Sequence, residues 1–463
     1  MTLFKLPFKT LCAGCLLVLL HGRLAAQQRS LSIREAVSLA AAQQPQLKAQ
    51  REQANAAAYG TDLARNTLMP ELTAGYQAGY ATYNNITGMT YPGMYLPISG
   101  PPSAGNTYDA VPGTVLSALL TWSPLTFGQR EAAVEKAAAQ YKLAGSQYND
   151  ALFRQQYAVI SAYLDAVYLF KLMQSSKGNI ERSKTGLEQS LVLAKEGLRP
   201  GIDTAQFQSA LAQAEIDLLT LQRKYFEQLT ELARLTGVPD QPKAWLLADT
   251  FLVHDLPALP DTSVAAAMHP LYQVYQDKLD VSEAALKAVQ REWRPKLDIW
   301  ANAYARGSGV AADGTVNKAD GWSLSRNNYG AGIQLSFPVL GFSRTGLRKK
   351  QYQSLLRSDE AQLEQVKLDL QQQRNNAAFN FDQQLGIAQH SLVQTRTAQF
   401  AYTGLRLSYE NGLTDFTRLM QGQYELLKAE SFQAGAFVQA WRALLDISVA
   451  NGNLDVFIDN LKQ

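Results

Sequence analysis

The chain has 463 residues, of which 46% are hydrophobic and 18% are charged, and its net charge is +3. So small a charge, with Lys and Arg spread along the chain, excludes nucleic acid as the main binding partner. The mean hydropathy of −0.18 excludes a bundle of membrane-spanning helices, because no segment approaches the roughly 18 consecutive apolar residues that one such helix needs.

The first predicted element is a secretory signal peptide, residues 1–26. Lys5 and Lys9 precede the apolar run LCAGCLLVLL, and small residues follow it. A basic, then an apolar, then a small-residue region is typical of an exported protein, and it predicts cleavage after Ala26. A buried first helix is the alternative interpretation.

Both cysteines of the chain, Cys12 and Cys15, lie inside this segment. The apolar run continues past Cys15, whereas a lipid-modified cysteine should end it, so the pattern argues against a lipoprotein. The mature chain then offers neither disulfides nor thiolate metal ligands.

Four segments alternate apolar and polar side chains: MPELTAGYQAGYATYN, GTVLSALLTWSP, PKLDIWANAYAR and YGAGIQLSFP. Such alternation is typical of strands with two unlike faces, and transmembrane β-strands need about 9–11 such residues with aromatic side chains near their ends. The side chains predicted to face lipid are Leu72, Tyr76, Leu116, Leu120, Trp122, Leu297, Ile299, Ile333, Leu335 and Phe337. Residues 85–112 and 307–328 are predicted to be polar loops within the two hairpins. Two soluble hairpins, each with one face on a core, are the alternative.

Two long helices are predicted over residues 129–196 and 343–411. Both segments lack proline and are rich in Gln, Ala, Leu, Lys and Glu, which favour helices. Their apolar residues recur at spacings of three, four and seven, which is typical of a coiled-coil seam. At about 1.5 Å per residue, each helix would be roughly 100 Å long. The shorter helical segments, residues 34–68 and 203–235, together have about the length of one long helix.

The two halves of the chain repeat each other. MPELTAGY is echoed by RPKLDIWA, LTWSPLTFGQ by LSFPVLGFSR, and KEGLRPGIDT by ENGLTDFTRL. The repeat suggests a duplicated unit. The predicted organisation is a first repeat (27–237), a proline-rich linker (238–261), a second repeat (262–450) and a C-terminal tail (451–463). The linker, the mature N-terminus and the tail are expected to form a belt around the middle of the molecule.

Several of these motifs carry a resemblance to a known family. They are LSIREAVSLAAAQQPQLKAQREQANAA near the start, LMPELTAGY and WRPKLDIWA, LSFPVLGFSR, and the helical segments EGLRPGIDTAQFQSALAQAE and NGLTDFTRLMQGQYELLKAE. In this order, and twice over, they resemble the TolC-type outer-membrane efflux protein family along essentially the whole mature chain.

The resemblance implies a membrane α+β fold. Each protomer of a homotrimer would give four strands to a transmembrane β-barrel, closed by trimerisation and continued by a long α-helical coiled-coil barrel, with two internal repeats in each chain. The open edges of a four-stranded sheet cannot face lipid, and this independently favours closure of the sheet by further copies of the chain.

The implied function is an outer-membrane channel-tunnel of a tripartite efflux or type I secretion system. It would conduct substrates passively from a periplasmic adaptor (membrane fusion) protein and an inner-membrane transporter to the cell exterior, and it would contact outer-membrane lipid. The alternative function is a soluble periplasmic coiled-coil protein with a structural or adaptor role.

In the family, the two helix-to-helix turns farthest from the membrane contact the adaptor. Here they are Gly197-Leu198 and Gly412-Leu413, where glycine is expected to end the long helix and an aspartate, Asp203 or Asp415, to cap the next one. Ordinary turns without a docking role are the alternative.

The resemblance also places a periplasmic gate near these turns, with Asp203, Asp415, Arg418 and Gln421 as candidate residues. Family members often have acidic residues at the positions of Arg418 and Gln421, so this chain departs from that pattern. Asp–Arg pairs that hold the closed end together are one interpretation, and solvated helix ends are the other.

No catalytic, cofactor or metal site is predicted. His21, His254, His269 and His390 are scattered along the chain without Asp or Glu at metal-ligand spacing. The sequence also lacks a nucleophile elbow and a phosphate-binding loop, so an enzyme is not expected.

Overall fold

The computed structural model describes residues 29–83, 107–239, 245–258, 269–311 and 313–461. The predicted signal peptide with Cys12 and Cys15, most of the first hairpin loop and parts of the linker lie outside these residues. The chain divides into two compact units. The helical unit comprises Met1–Arg51, Gln147–Gln273 and Gln365–Gln463, and the sheet unit comprises Glu52–Ser146 and Val274–Glu364.

Helices make up most of the described chain, and it has a helix-rich α+β fold. The first elements are β1 (Arg29–Leu31), α1 (Ile33–Gln43), α2 (Pro45–Asn66), β2 (Glu71–Tyr83), β3 (Thr107–Leu125), α3 (Gln129–Lys195), α4 (Gly201–Thr236) and β4 (Trp245–Leu247). After a short 3-10 helix (Thr250–Val253) come α5 (Pro270–Arg291), β5 (Lys296–Ser308), β6 (Arg326–Ser336), α6 (Phe342–Glu410), α7 (Phe416–Ala450) and α8 (Asp455–Asn460).

The two predicted long helices are confirmed, since α3 has 67 residues and α6 has 69. The predicted helical segment before β2, residues 34–68, is instead interrupted at Gln44, whose ψ is 119°. The reason is Pro45, because a residue that precedes proline is disfavoured in the helical conformation. At the start of α1 the hydroxyl of Ser32 accepts a hydrogen bond from the N–H of Glu35 at 3.2 Å and caps the helix.

The sheet unit contains one antiparallel sheet with the strand order β2-β3-β5-β6. β3 has 19 residues and begins at Thr107, so the prediction of a loop over residues 85–112 is wrong for its last part. The strand starts early because these residues pair with the far end of β2, where Thr107 lies opposite Tyr83. Within the described residues, β2 and β6 each pair with one neighbouring strand, so each leaves an outer edge unpaired.

No helix in the described ranges combines the length and the apolar character that crossing a membrane would require.

The main core of the helical unit surrounds Tyr163, which is fully buried. Its hydroxyl donates a hydrogen bond to the carbonyl of Leu31 at 2.7 Å and accepts one from the N–H of Asp249 at 3.1 Å. The Asp249 carboxylate accepts from the N–H of Ile33 at 2.7 Å, and so satisfies a donor that has no partner within α1. Burial raises the pKa of Tyr163, so the hydroxyl stays protonated.

Three segments that are distant in sequence meet in this unit. β1 pairs in parallel with β4 of the linker. The guanidinium of Arg34 donates to the carbonyl of Ile458 in the tail at 2.8 Å, and the indole of Trp441 donates to the carbonyl of Asp255 at 2.9 Å. The residues at the start of the described chain thus contact both the linker and the tail, and the linker also contacts α7. These contacts are of the kind that the expected belt would have. The location of the belt around a duct stays a prediction.

A second core of the helical unit lies between the ends of the long helices and is centred on Phe207, which is 1% exposed. The ring of Phe207 lies 4.7 Å from that of Phe416 and 6.0 Å from that of Tyr409, both edge-on. Gly186 of α3 makes room for this ring, because a Cβ at that position would lie 2.9 Å from Cδ1 of Phe207. Such a distance is too short for two carbon atoms that do not share a bond.

His269 is a buried titratable group at the start of α5, with 6% of its surface exposed. Its Nδ1 accepts a hydrogen bond from the N–H of Leu271 at 3.1 Å, and its ring lies edge-on to Phe153 at 5.6 Å. Burial lowers the pKa of His269, and the guanidinium groups of Arg374 and Arg154 lower it further, against the raising effect of the Val449 carbonyl and Asp150. The folded protein therefore holds this side chain neutral.

Gly186→Ala should lower the free energy of unfolding by about 1–3 kcal/mol, because the added methyl group overpacks against Phe207. Gly145→Ala is the matched control within the same helix: apart from the adjacent backbone of α3, no atom lies within 4 Å of its Cβ position, so the change should stabilise α3 by about 0.5–1 kcal/mol. Thermal unfolding followed by circular dichroism measures both. Equal effects of the two substitutions would contradict this account of Gly186.

Acidification should destabilise the helical unit through His269. The pKa of the folded state lies below the ordinary value of 6.5, so the unfolded state binds the proton more readily. The stabilising contribution is complete above pH 6.5 and is lost as the pH falls from there toward the lowered pKa. Between pH 7.5 and pH 5.5, the melting temperature of His269→Gln should therefore fall by less than that of the unmodified protein. His390→Gln, at an exposed position, should show the same fall in melting temperature as the unmodified protein. An equal fall in the His269 and His390 variants would argue against His269 as its source.

Candidate functional site

The two long helices end in the same backbone motif. After α3, Gly197 has a φ of +71°, and the N–H of Leu198 donates to the carbonyl of Leu193 at 2.9 Å. After α6, Gly412 has a φ of +78°, and the N–H of Leu413 donates to the carbonyl of Ser408 at 2.8 Å. This is the Schellman motif, in which glycine adopts the left-handed conformation without strain.

Leu198 and Leu413 both lie in solvent. Their exposed fractions are 66% and 81%, although the residue after the glycine of a Schellman motif often packs against the last turn of its helix. Each turn therefore presents an apolar side chain that contributes little to the core.

The four candidate gate residues have different environments. Asp415 caps α7, because its carboxylate accepts from the N–H of Arg418 at 2.8 Å. The expectation that Asp203 caps α4 is wrong: the capping residue is Pro200, and Asp203 lies within the first turn with 8% of its surface exposed. Arg418 and Gln421 are exposed. Among the described residues of one chain, Asp415 and Arg418 form no ion pair through their side chains.

A network of polar contacts joins the two turns. The guanidinium of Arg199 donates to the carbonyl of Thr414 at 2.7 Å and to that of Tyr409 at 3.3 Å, and its central carbon lies 4.8 Å from the centre of the Tyr409 ring. The hydroxyl of Tyr409 donates to the Asp203 carboxylate at 3.0 Å. Arg199 follows the first turn and Tyr409 precedes the second, so this network fixes the two turns relative to each other.

No local pattern in the sequence predicts the roles of Arg199 and Tyr409. Their contacts cross between two turns that are about 200 residues apart, as the separation of 215 residues between Arg199 and Thr414 illustrates. The only local signal was an arginine beside the predicted docking turn.

Tyr409 keeps its proton at physiological pH. Burial, and then the hydrogen bond to Asp203, raise its pKa to about 12. The phenol therefore acts as a constant hydrogen-bond donor to the Asp203 carboxylate.

The sheet unit contains the second candidate site, the apolar face of the four strands. Its predicted side chains are the most exposed on the edge strands, where Leu72, Tyr76 and Ile333 are 68%, 62% and 72% exposed. On the same face Leu335, Phe337 and Leu116 are also exposed, and Leu120, Trp122, Leu297 and Ile299 are half-buried between neighbouring strands. On the opposite, polar face, Ser117 and Asn302 are buried.

In this sheet the apolar face is exposed and side chains of the polar face are buried. In a soluble sheet the apolar face would instead cover a core. An exposed apolar surface of this extent marks a contact with a membrane or another protein. Near one end of the face the indole of Trp122 donates to the carbonyl of Leu68 at 2.8 Å, so the ring is anchored by its polar atom.

The described residues contain no group of His, Cys, Asp or Glu side chains that could hold a metal ion.

The family model for outer membrane efflux proteins matches residues 36–238. No curated protein sequence matches this chain. Three similar solved structures are those of one outer membrane protein and two outer membrane channels. VceC of Vibrio cholerae is 14% identical with a TM-score of 0.72, and the alignment covers 91% of this chain and 96% of that one. CmeC of Campylobacter jejuni is 12% identical with a TM-score of 0.71, covering 93% and 90%. MtrE of Neisseria gonorrhoeae, in its open state, is 15% identical with a TM-score of 0.70, covering 91% and 89%.

The structural likeness shows the fold over nearly the whole chain, and the family model matches a part of it, residues 36–238. The predicted resemblance to the outer membrane efflux protein family is therefore confirmed, by the family model over residues 36–238 and by the shared fold over nearly the whole chain.

Proposed function

We propose that this chain forms the outer-membrane duct of a tripartite efflux or type I secretion system, through which substrates pass without energy input from the duct itself. The observation that carries this proposal is the four-stranded sheet, whose apolar face is exposed and whose two outer edges are unpaired within the described chain. A bilayer is the medium that matches such a face.

Closure of the sheet requires further copies of the chain. Unpaired backbone N–H and C=O groups at β2 and β6 are not tolerated in lipid, where water cannot satisfy them. Pairing of β6 with β2 of the next copy removes every edge when the strands form a ring. Three copies would give a twelve-stranded β-barrel, the arrangement implied by the resemblance to the family.

The surface of the helices supports the same assembly. On α6 the side chains of Leu368, Phe379 and Phe400 are 66%, 69% and 83% exposed. Large apolar side chains on the surface of a single chain are typical of an interface with another chain. Neighbouring copies would bury these side chains and form the helical barrel. The two sequence repeats would supply equivalent helices to its wall.

The two turns are proposed as the surface that binds a periplasmic adaptor, through which the duct reaches an inner-membrane transporter. Leu198 and Leu413 offer apolar surface, and Arg199 fixes the distance between the turns. Asp203, Asp415, Arg418 and Gln421 remain the proposed gate residues. Because Asp203 is bound to Tyr409, any ring of charge at the gate would come from the exposed Asp415 and Arg418.

Placing a charge on the apolar face of the sheet should impair assembly. Ile333→Arg would place a guanidinium in hydrocarbon at a cost of roughly 2–4 kcal/mol per chain, whereas Gln334→Arg, on the polar face of the same strand, should be mild. We expect the unmodified protein and Gln334→Arg to form trimers in the outer membrane and in detergent, measured by fractionation and by mass in solution. Ile333→Arg should yield few trimers. A monomeric, water-soluble unmodified protein would refute the duct and favour a soluble coiled-coil protein, and equal behaviour of the two variants would refute the assignment of faces.

Replacing both Leu198 and Leu413 by Asp should abolish export without affecting folding. Two charges would stand where an adaptor buries apolar surface, at a desolvation cost of a few kcal/mol. The double variant should reach the outer membrane at normal levels, resist proteolysis as the unmodified protein does, and fail to restore export in a deletion strain. The double Met variant keeps the surface apolar and should restore export. Full export by the Asp variant would mean that the adaptor binds elsewhere, and loss of the protein from the membrane would mean that these leucines are structural.

A further inference from the structure

Trp300 lies on the polar face of the sheet, contrary to its apolar character. In β5 it shares a face with Lys296, Asp298 and Asn302, because alternate residues of a strand point to the same side. Its opposite residue on β6 is Gly332, and its opposite residue on β3 is Thr121. A large aromatic ring therefore stands among polar side chains on the face that the proposed function assigns to the water-filled lumen.

Two glycines of β6 make a place for this ring. A Cβ at Gly332 would lie 2.8 Å from Cε2 and Cζ2 of the indole, and a Cβ at Gly330 would lie 3.4 Å from Cζ3. Any other residue at Gly332 would displace the ring. One face of the indole thus rests on the backbone of β6, and Trp300 is half-buried there.

The indole borders a cavity of about 980 Å³ that lies wholly in the sheet unit. Among the described residues that line this cavity, Trp300 is the one aromatic side chain. Two carboxylates, Glu71 and Asp298, and one ammonium group, Lys296, supply the charges of the lining. Asp298 accepts hydrogen bonds from Ser123 at 2.5 Å and from Lys296 at 3.0 Å, so its position is fixed.

We propose that Trp300 is a cargo-binding residue of the duct, on which planar aromatic cations stack as they pass through the lumen. This inference rests on the proposed function. An indole face attracts cations through its quadrupole and offers apolar area to a flat ring. The lining carries one more carboxylate than ammonium groups, which favours a positive over a negative ligand. The cavity is within the size range that takes molecules of the size of a drug.

The binding experiment uses the full chain, purified in detergent, with ethidium as the planar aromatic cation and fluorescence anisotropy as the readout. Trp300→Leu keeps an apolar side chain but removes the aromatic face, and it should raise the dissociation constant roughly fivefold or more. Gly332→Ala leaves the indole in the chain but displaces it, and it should have a similar effect. Trp293→Leu removes an exposed tryptophan of the same unit that does not line the cavity, and it should bind ethidium as the unmodified protein does.

Three competitors separate the contributions of ring and charge. Tetraethylammonium, a cation without a ring, and pyrenesulfonate, an aromatic anion, should each compete with ethidium much less well than N-methylacridinium, an aromatic cation. If Gly332→Ala does not assemble, Trp300→Tyr takes its place: it keeps an aromatic face and should retain most of the affinity that Trp300→Leu loses.

The outcomes distinguish this inference from the duct itself. If the unmodified trimer conducts ions across a planar bilayer but Trp300→Leu binds ethidium unchanged, the cargo contact is refuted and the duct stands. Equal weakening by Trp300→Leu and Trp293→Leu would also refute it, because the loss would then be unspecific. If the protein forms neither trimers nor conducting channels, the proposed function fails, and the inference fails with it.

Discussion

The backbone polar groups at the two outer edges of the sheet are the constraint on which the rest of the molecule depends. β2 and β6 each satisfy one side of their N–H and C=O groups within the described chain. A soluble protein would cover such edges or interrupt them with charges and bulges, whereas here the neighbouring apolar face is exposed as well. The proposed continuation of the sheet into other copies inside a membrane would satisfy the backbone edges and cover the apolar face. The same proposed assembly would bury the exposed apolar side chains of the long helices.

The helical unit meets a different constraint, since long helices leave backbone groups without partners at their ends. Ser32 and Asp415 cap the starts of two helices, and left-handed glycines close the ends of the long ones. Arg199 completes this system by binding carbonyl groups of the opposite turn. The chain thus reverses direction twice with its backbone satisfied, and the side chains of the turns are not needed for that purpose.

Patterns that repeat over many residues could be read from the sequence. Two proline-free runs predict the long helices, and alternation predicts the apolar face of the sheet, on which the register places both Ile333 and Leu72. Contacts between distant segments could not be predicted in this way. The network of Arg199, Tyr409 and Asp203 depends on contacts between two turns that are distant in sequence. The local sequence alone predicts Asp203 as a helix cap, whereas its carboxylate accepts a hydrogen bond from Tyr409. Alternation along β5 is enough to predict that Trp300 lies on the polar face. Its position against Gly332 depends on the register between β5 and β6, which the sequence does not reveal.

The solvent-exposed position of Leu198 and Leu413 has an evolutionary consequence. Side chains that are mostly exposed can be exchanged at little cost in stability, because surface substitutions away from special features are usually near neutral. The backbone beneath them is held by Gly197, Gly412 and Arg199, which are separate positions. Selection for a new binding partner can therefore act on the turns without compromising the fold. Under the proposed docking role, a lineage could change its binding partner through very few mutations at these turns, and divergence at the two positions would follow the partner rather than the descent of the chain.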